Sequence, residues 1–214
     1  MTHWNLSGWV VDRGAFRLGP LDLALGPGEI LAVIGRSGAG KTSLLRSVAG
    51  LARQRAGDLE RDGVAIGHRP PEERRAAYVP AGLGLFPHRS ARENVAYAGR
   101  FSERPDPARL DRLLDRFGIR PFESRRPATL SDGERERVAA ARALLSDPEL
   151  LLWDEPLTAL DQEARRDLLQ ALLDVARIDR VPTIVVSHDP EIAFTLADRF
   201  LLLDEGTPRF YGRP

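Results

Sequence analysis

The sequence predicts an α/β fold, in which a mainly parallel sheet wound with helices carries an N-terminal antiparallel β subdomain and an inserted helical subdomain. Three observations predict it. Ile30 to Ile34, Leu150 to Trp153 and Thr183 to Val186 are short apolar runs, as expected of strands buried on both faces of a parallel sheet. Segments with helical apolar spacing alternate with these runs, the order that right-handed crossovers between parallel strands require. Residues 8 to 26 instead alternate apolar with small or polar residues around Gly14 and Gly19-Pro20, the pattern of antiparallel strands and turns.

The elements follow in order. Phe16, Leu18, Leu21, Leu23 and Leu25 give the antiparallel part its apolar positions, and Pro27-Gly28 turns the chain into the run Ile30 to Ile34. A glycine-rich turn and an apolar-periodic segment, Thr42 to Leu51, come next, so the reading is strand, loop, helix. Residues 57 to 80 read as further short strands and turns, broken by Arg69-Pro70-Pro71 and ending in Ala77-Tyr78-Val79. From about Ser90 to Ala128, Val95, Leu110, Leu113, Leu114 and Phe117 recur at helical spacing among many charges, marking a small helical lobe. Gly133 to Leu145 and Gln162 to Ile178 read as helices on either side of the strand Leu150 to Trp153. Residues 1–214 are read as a single domain, with 1–88 and 135–214 as its core and about 89–134 as the helical insertion.

Composition narrows the function. Thirty-one basic residues balance thirty-one acidic ones, which argues against a generic polyanion binder, and no nucleic-acid partner is expected. A hydrophobic fraction of 43% suffices for a packed core and excludes disorder of the whole chain. With no cysteine there is no disulfide, thiolate metal site or thiol nucleophile, which suits the cytosol. The apolar runs fall far short of the roughly 18 residues that span a bilayer, and the start MTHWNLSGWVVDRG has no charged segment leading into an apolar one. Any link to a membrane is therefore expected through a partner. Lys41 is the only lysine beside thirty arginines, and it stands where a compact ammonium on a flexible stem is needed.

Gly35-Arg36-Ser37-Gly38-Ala39-Gly40-Lys41-Thr42 fits G-x-x-x-x-G-K-[ST] at every defined position, between a predicted strand and a predicted helix. The pattern makes Gly35, Ser37, Gly38, Ala39, Gly40, Lys41, Thr42 and the following Ser43 candidate nucleotide-binding residues of a P-loop NTPase core. Glycines let backbone N–H groups curl around phosphate oxygens, and the helix N-terminus adds partial positive charge. Lys41 reaches the β and γ phosphates, and the Thr42 hydroxyl is a ligand for Mg²⁺. Such a site needs a carboxylate at the end of a neighbouring strand, and Asp154 emerges there after four apolar residues as the second Mg²⁺ ligand. Glu155 beside it is the candidate general base for an attacking water.

Leu130-Ser131-Asp132-Gly133-Glu134, followed by Arg137 and an alanine-rich helix, resembles the LSGGQ signature of the ATP-binding cassette ATPases, with Asp132 for the first glycine and Glu134 for the glutamine. Ser131 and Gly133, kept from that motif, are by this resemblance a γ-phosphate contact. Leu160-Asp161 resembles the family's D-loop, and His188 after the strand Thr183 to Ser187 resembles its switch histidine. The other histidines, His3, His68 and His88, have no ligand spacing. Tyr78 to His88 and on to Val95 is similar to the Q-loop and its following helix, but Ala81 stands where the glutamine is expected. For the adenine-stacking aromatic that precedes the P-loop in this family, Trp9 is the candidate and Phe16 the runner-up.

The resemblance runs from about Trp9 to Gly212, short of the regulatory domain appended in several importer ATPases. It implies ATP hydrolysis with Mg²⁺ between two cassettes facing head to tail, so that Lys41, Glu155 and His188 act in one subunit against Ser131 of the other. It implies integral membrane permease subunits as partners, a second cassette, identical or paralogous, and a cytoplasmic position peripheral on the inner face of the cell membrane. Arg69-Pro-Pro-Glu-Glu-Arg-Arg and Leu85-Phe-Pro-His88 are similar to importers of oxyanions such as molybdate, and of thiamine. The alternative is a soluble cassette ATPase acting on nucleic acid or ribosomes. The coiled-coil insertions or paired cassettes of such proteins do not fit 214 residues. A P-loop kinase is disfavoured by the signature, D-loop and switch histidine.

Overall fold

The computed structural model describes residues 2–102, 106–156, 162–188 and 190–213. Strands β1 (Trp4–Arg13) and β2 (Phe16–Leu25) form a hairpin in which Arg13 pairs with Phe16 and Trp4 with Leu25. A register shift between Leu6 and Trp9 changes the phase of β1, so that Trp4 and Leu6, then Trp9 and Val11, are the residues it buries.

Strand β3 (Ile30–Gly35) leads through the glycine-rich turn into α1 (Lys41–Val48), which starts one residue before the sequence suggests and ends three earlier. The chain continues through β4 (Ala56–Arg61), β5 (Val64–Ala65), α2 (Pro71–Arg74) and β6 (Ala76–Val79). Helices α3 (Ala91–Tyr97), α4 (Pro107–Arg116) and α5 (Asp132–Leu145) follow, then β7 (Leu150–Asp154), α6 (Gln162–Arg177) and β8 (Thr183–Val186). Helix α7 (Pro190–Leu196) and the hairpin β9 (Arg199–Asp204) and β10 (Thr207–Gly212) complete the described chain.

Among the described residues there are two sheets, ordered β2-β1-β4-β5 and β10-β9-β3-β8-β7-β6. In the second, β3 pairs in parallel with β8 and β9, and β7 with β6 and β8, while β9 and β10 are antiparallel. Strand β7 shows why this sheet is central, since every one of its residues is buried. Leu150 and Leu152 pack with the antiparallel sheet and α1, whereas Leu151 and Trp153 pack with α5 and α6. Each such leucine contributes about 1.5–3 kcal/mol by leaving water. Both faces being covered, the run shows no alternation of polar residues.

Helix α3 opens on a capping box between Ser90 and Glu93. The buried Asn94 side chain accepts from the Phe86 N–H and donates to the Phe86 carbonyl, fastening the preceding loop to α3. Arg116 pairs with Asp179 and Arg137 with Asp167, tying α4 and α5 to the α6 side of the core. No helix of the described residues is long and apolar enough to cross a membrane.

Candidate functional site

The open ends of three neighbouring parallel strands assemble the site. Strand β3 delivers the glycine-rich turn, β7 delivers Asp154 and Glu155, and β8 delivers Ser187 and His188, in keeping with the rule that ligands bind beyond the carboxyl ends of parallel strands. Glycine is required at two points of the turn. A Cβ on Gly35 would lie 2.3 Å from the Leu203 carbonyl oxygen, and Gly40 combines a φ of 103° with the Phe16 ring against its α-carbon. Gly40 is the N-cap of α1 and supplies no side-chain cap, so the first N–H groups of the helix are left without side-chain partners.

The side chains are interlocked. Lys41, only 7% exposed, donates to the carbonyls of Gly35 (2.8 Å) and Arg36 (3.2 Å), and its ammonium lies 3.8 Å from a Glu155 oxygen. The other oxygen of Glu155 takes the His188 backbone N–H at 3.2 Å and meets His188 Nδ1 at 2.5 Å. Glu155 has a φ of 55°, a left-handed conformation, and its N–H donates to the Val186 carbonyl. The buried Asp154 carboxylate accepts from Thr42 Oγ1 at 3.1 Å and from the Tyr78 hydroxyl at 3.0 Å, one bond on each oxygen. Burial, and then the Asp154 charge, push the Tyr78 phenol well above its ordinary value, so Tyr78 is a permanent donor.

A cavity of about 500 Å³ opens beside this cluster, lined by residues 37–43, Glu155, Phe16 and Arg13. A second, of about 670 Å³, is lined by Ala81, Leu83, Asp132, Glu136, Glu155 and His188 among others, so Glu155 forms a wall of both. Arg142 donates to the carbonyls of Leu83 and Gly84 and holds the Ala81 segment against α5.

The structure thus brings Lys41, Thr42, Asp154, Glu155 and His188 together, with Gly35, Ser37, Gly38, Ala39, Gly40 and Ser43 in or beside the turn. Ser131 and Gly133 stand apart from that cavity at the start of α5. Ser131 Oγ accepts from the Glu134 N–H while the Glu134 carboxylate accepts from the Ser131 N–H. Both acids of this motif are paired, Asp132 with Arg135 and Glu134 with Arg125. Asp161 lies outside the described residues.

Trp9 requires a correction. It is 0% exposed and donates its indole N–H to Ser47 Oγ inside the core, so no base can stack on it. The phase change in β1 turns it inward, and the runner-up Phe16 is the aromatic that lines the cavity. Two residues escaped the sequence reading. Tyr78 sits in a four-residue strand that looks like plain core, and its signal was a hydroxyl among apolar neighbours beside the Asp154 strand. Arg13 is one charge among thirty arginines, and only pairing across the hairpin reveals it.

The sequence model of the ABC transporter family matches residues 18–158. The chain is 42% identical over 201 residues to the molybdenum import ATP-binding protein ModC of Paramagnetospirillum magneticum, covering 91% of this chain and 55% of that protein. It is 38% identical over 197 residues to the sulfate/thiosulfate import ATP-binding protein CysA of Mycobacterium tuberculosis, covering 91% and 56%. The chain spans about half the length of the curated relatives it matches. A dimeric post-hydrolysis structure of the ATP-binding cassette MJ0796 bound to ADP and Pi superposes with a TM-score of 0.87 at 25% identity, covering 98% of each chain. Its fold is that of the antiparallel sheet and mainly parallel sheet described above. With more than half of its length matched by the family's own pattern, and relatives close to 40% identical along nearly all of it, the chain belongs to the ABC transporter family.

Proposed function

We propose that the chain binds and hydrolyses ATP as the motor subunit of an ABC importer for a small anion, working on the inner face of the membrane with a permease and a second cassette. The observation that carries this reading is the linked set Lys41–Glu155–His188 with Thr42–Asp154 around the cavity of about 500 Å³. The relatives named for molybdenum and sulfate/thiosulfate import support the anion class.

In this reading the triphosphate lies along the glycine-rich turn, on the uncapped N–H groups of α1. Lys41 exchanges the carbonyls of Gly35 and Arg36 for phosphate oxygens, gaining charge-assisted bonds in place of neutral ones. Glu155, oriented by His188, accepts the proton of a water whose oxygen attacks the γ phosphorus. The bond from that phosphorus to the β–γ bridging oxygen breaks, and ADP and phosphate leave. Thr42 and Asp154 are hard oxygen donors already 3.1 Å apart, a set that suits Mg²⁺, which keeps several waters and shares its shell with substrate phosphates. Bound there, Mg²⁺ supplies charge that offsets the negative phosphates. Ser131 meets the γ phosphate of the opposing subunit, and Asp161 of the D-loop belongs to the same interface.

Ala81 leaves empty the place from which a glutamine would reach toward Glu155 and His188 across the second cavity. The test is ATP turnover by the purified chain over a range of protein concentrations, beside Glu155→Gln and Ala81→Gln. Specific activity that rises with concentration, is lost in Glu155→Gln and increases a few-fold in Ala81→Gln is expected. Hydrolysis undiminished by Glu155→Gln sinks the assignment of Glu155, and absence of ATP binding sinks the motor reading as a whole.

A further inference from the structure

Arg74 is a buried cation with no part in the phosphate site described above. It closes α2, is only 4% exposed, and donates to the carbonyls of Ser47 (2.7 Å), Val48 (3.1 Å), Gly67 (2.6 Å) and Arg69 (2.9 Å). Each of these acceptors is neutral, and no carboxylate pairs with Arg74 among the described residues. Burial pulls its pKa below the ordinary arginine value, yet a guanidinium in a protein stays charged. A buried charge with no partner of opposite sign is costly, so this position calls for a counter-charge from outside the chain.

Ser47 and Val48 are the last residues of α1, the helix whose uncapped start follows the glycine-rich turn. The C-terminus of a helix carries about half a negative charge, which repels an anion held at the N-terminus. With eight residues, α1 is only about 12 Å long, so both of its ends act on one ligand. Arg74 sets a full positive charge on the repelling end and reverses its sign. Arg46, in the same last turn, is exposed, so water weakens its field. We propose that Arg74 is a positioning residue for the nucleotide phosphates: it does not touch them, and through α1 it raises their affinity in step with their charge. This role rests on the nucleotide-motor reading and adds to that site a cation at the far end of its helix.

Gln54 allows the charge to be tested with Arg74 in place, because its amide donates to the same Gly67 carbonyl at 2.9 Å. Gln54→Glu sets a carboxylate beside the guanidinium, whereas Gln54→Met loses the same bond and adds no charge. Dissociation constants of ATP and ADP are measured in EDTA at low ionic strength for the wild-type chain, both Gln54 variants, Arg74→Gln and Arg74→Lys. Gln54→Glu and Arg74→Gln are expected to weaken ATP by about tenfold and ADP, with one negative charge fewer, by about fivefold. Gln54→Met and Arg74→Lys leave the charge unchanged and stay within about threefold of the wild type for both ligands. If the Arg74 variants do not fold, the two Gln54 variants decide by themselves. Equal losses in Gln54→Glu and Gln54→Met, no loss in Gln54→Glu, or losses as large in Arg74→Lys as in Arg74→Gln overturn the role of Arg74 and leave the motor reading standing. A wild type that binds neither nucleotide overturns both.

Discussion

Helices α1 and α5 both begin at a motif of the site, and their N-termini are finished in opposite ways. Helix α1 starts after Gly40, with no side-chain cap and no acidic residue in its first turn. Helix α5 starts after Ser131, with a complete capping box and two acids, Asp132 and Glu134. The four N–H groups that open any helix need partners. At α5 the capping box gives side-chain partners to two of them, the N–H groups of Ser131 and Glu134, whereas at α1 no side chain does so. In the proposed motor, the uncapped end of α1 belongs to the half-site that binds nucleotide by itself. On the same proposal, the capped end of α5 would have to give up internal bonds before it met a phosphate.

The strongest way to break this contrast is Lys41→Ala. If the open end of α1 works only together with its lysine, ATP turnover falls by about 100-fold or more while the thermal melt without nucleotide stays close to wild type. A melt as depressed as the activity would mean that Lys41 mainly stitches the turn to itself. Tyr78→Phe is next, because it removes one of the two bonds that orient Asp154. The nucleotide affinity gained on adding Mg²⁺, compared with the same titration in EDTA, is expected to shrink by about tenfold, the scale of lost support behind a metal ligand. An unchanged gain would show that Thr42 alone sets the carboxylate. The smallest effect belongs to the finished end. Ser131→Ala removes a cap worth about 1 kcal/mol and lowers the melting temperature by about 2–4 °C in a chain of this size. The counterpart Gly40 holds no such cap to lose.

Sequence was most informative where one force dominates. The runs of β3, β7 and β8 are mostly apolar because both faces are covered, and Gly35 stands where the Leu203 carbonyl leaves no room for a side chain. Trp9 was misread because a phase shift inside β1 is set by pairing with β2 and β4, and no local pattern announces it. The α7 segment and the β9–β10 hairpin were missed because β9 pairs in parallel with β3, far away in sequence. The two acids at the start of α5 read as a departure from the family pattern. Asp132 is compensated within α5 by Arg135, three residues on, whereas the pairing of Glu134 with Arg125 appears only once the loop before α5 is packed against it.

Glu155 lines both cavities, so one carboxylate faces the space beside Lys41 and the space beside Ala81. If the proposed motor is right, a group entering the space beside Ala81 and a phosphate held by Lys41 would meet the same Glu155 side chain. Coupling of that kind would require no more than a rotation of one side chain, with no relay of shifting helices between the two spaces.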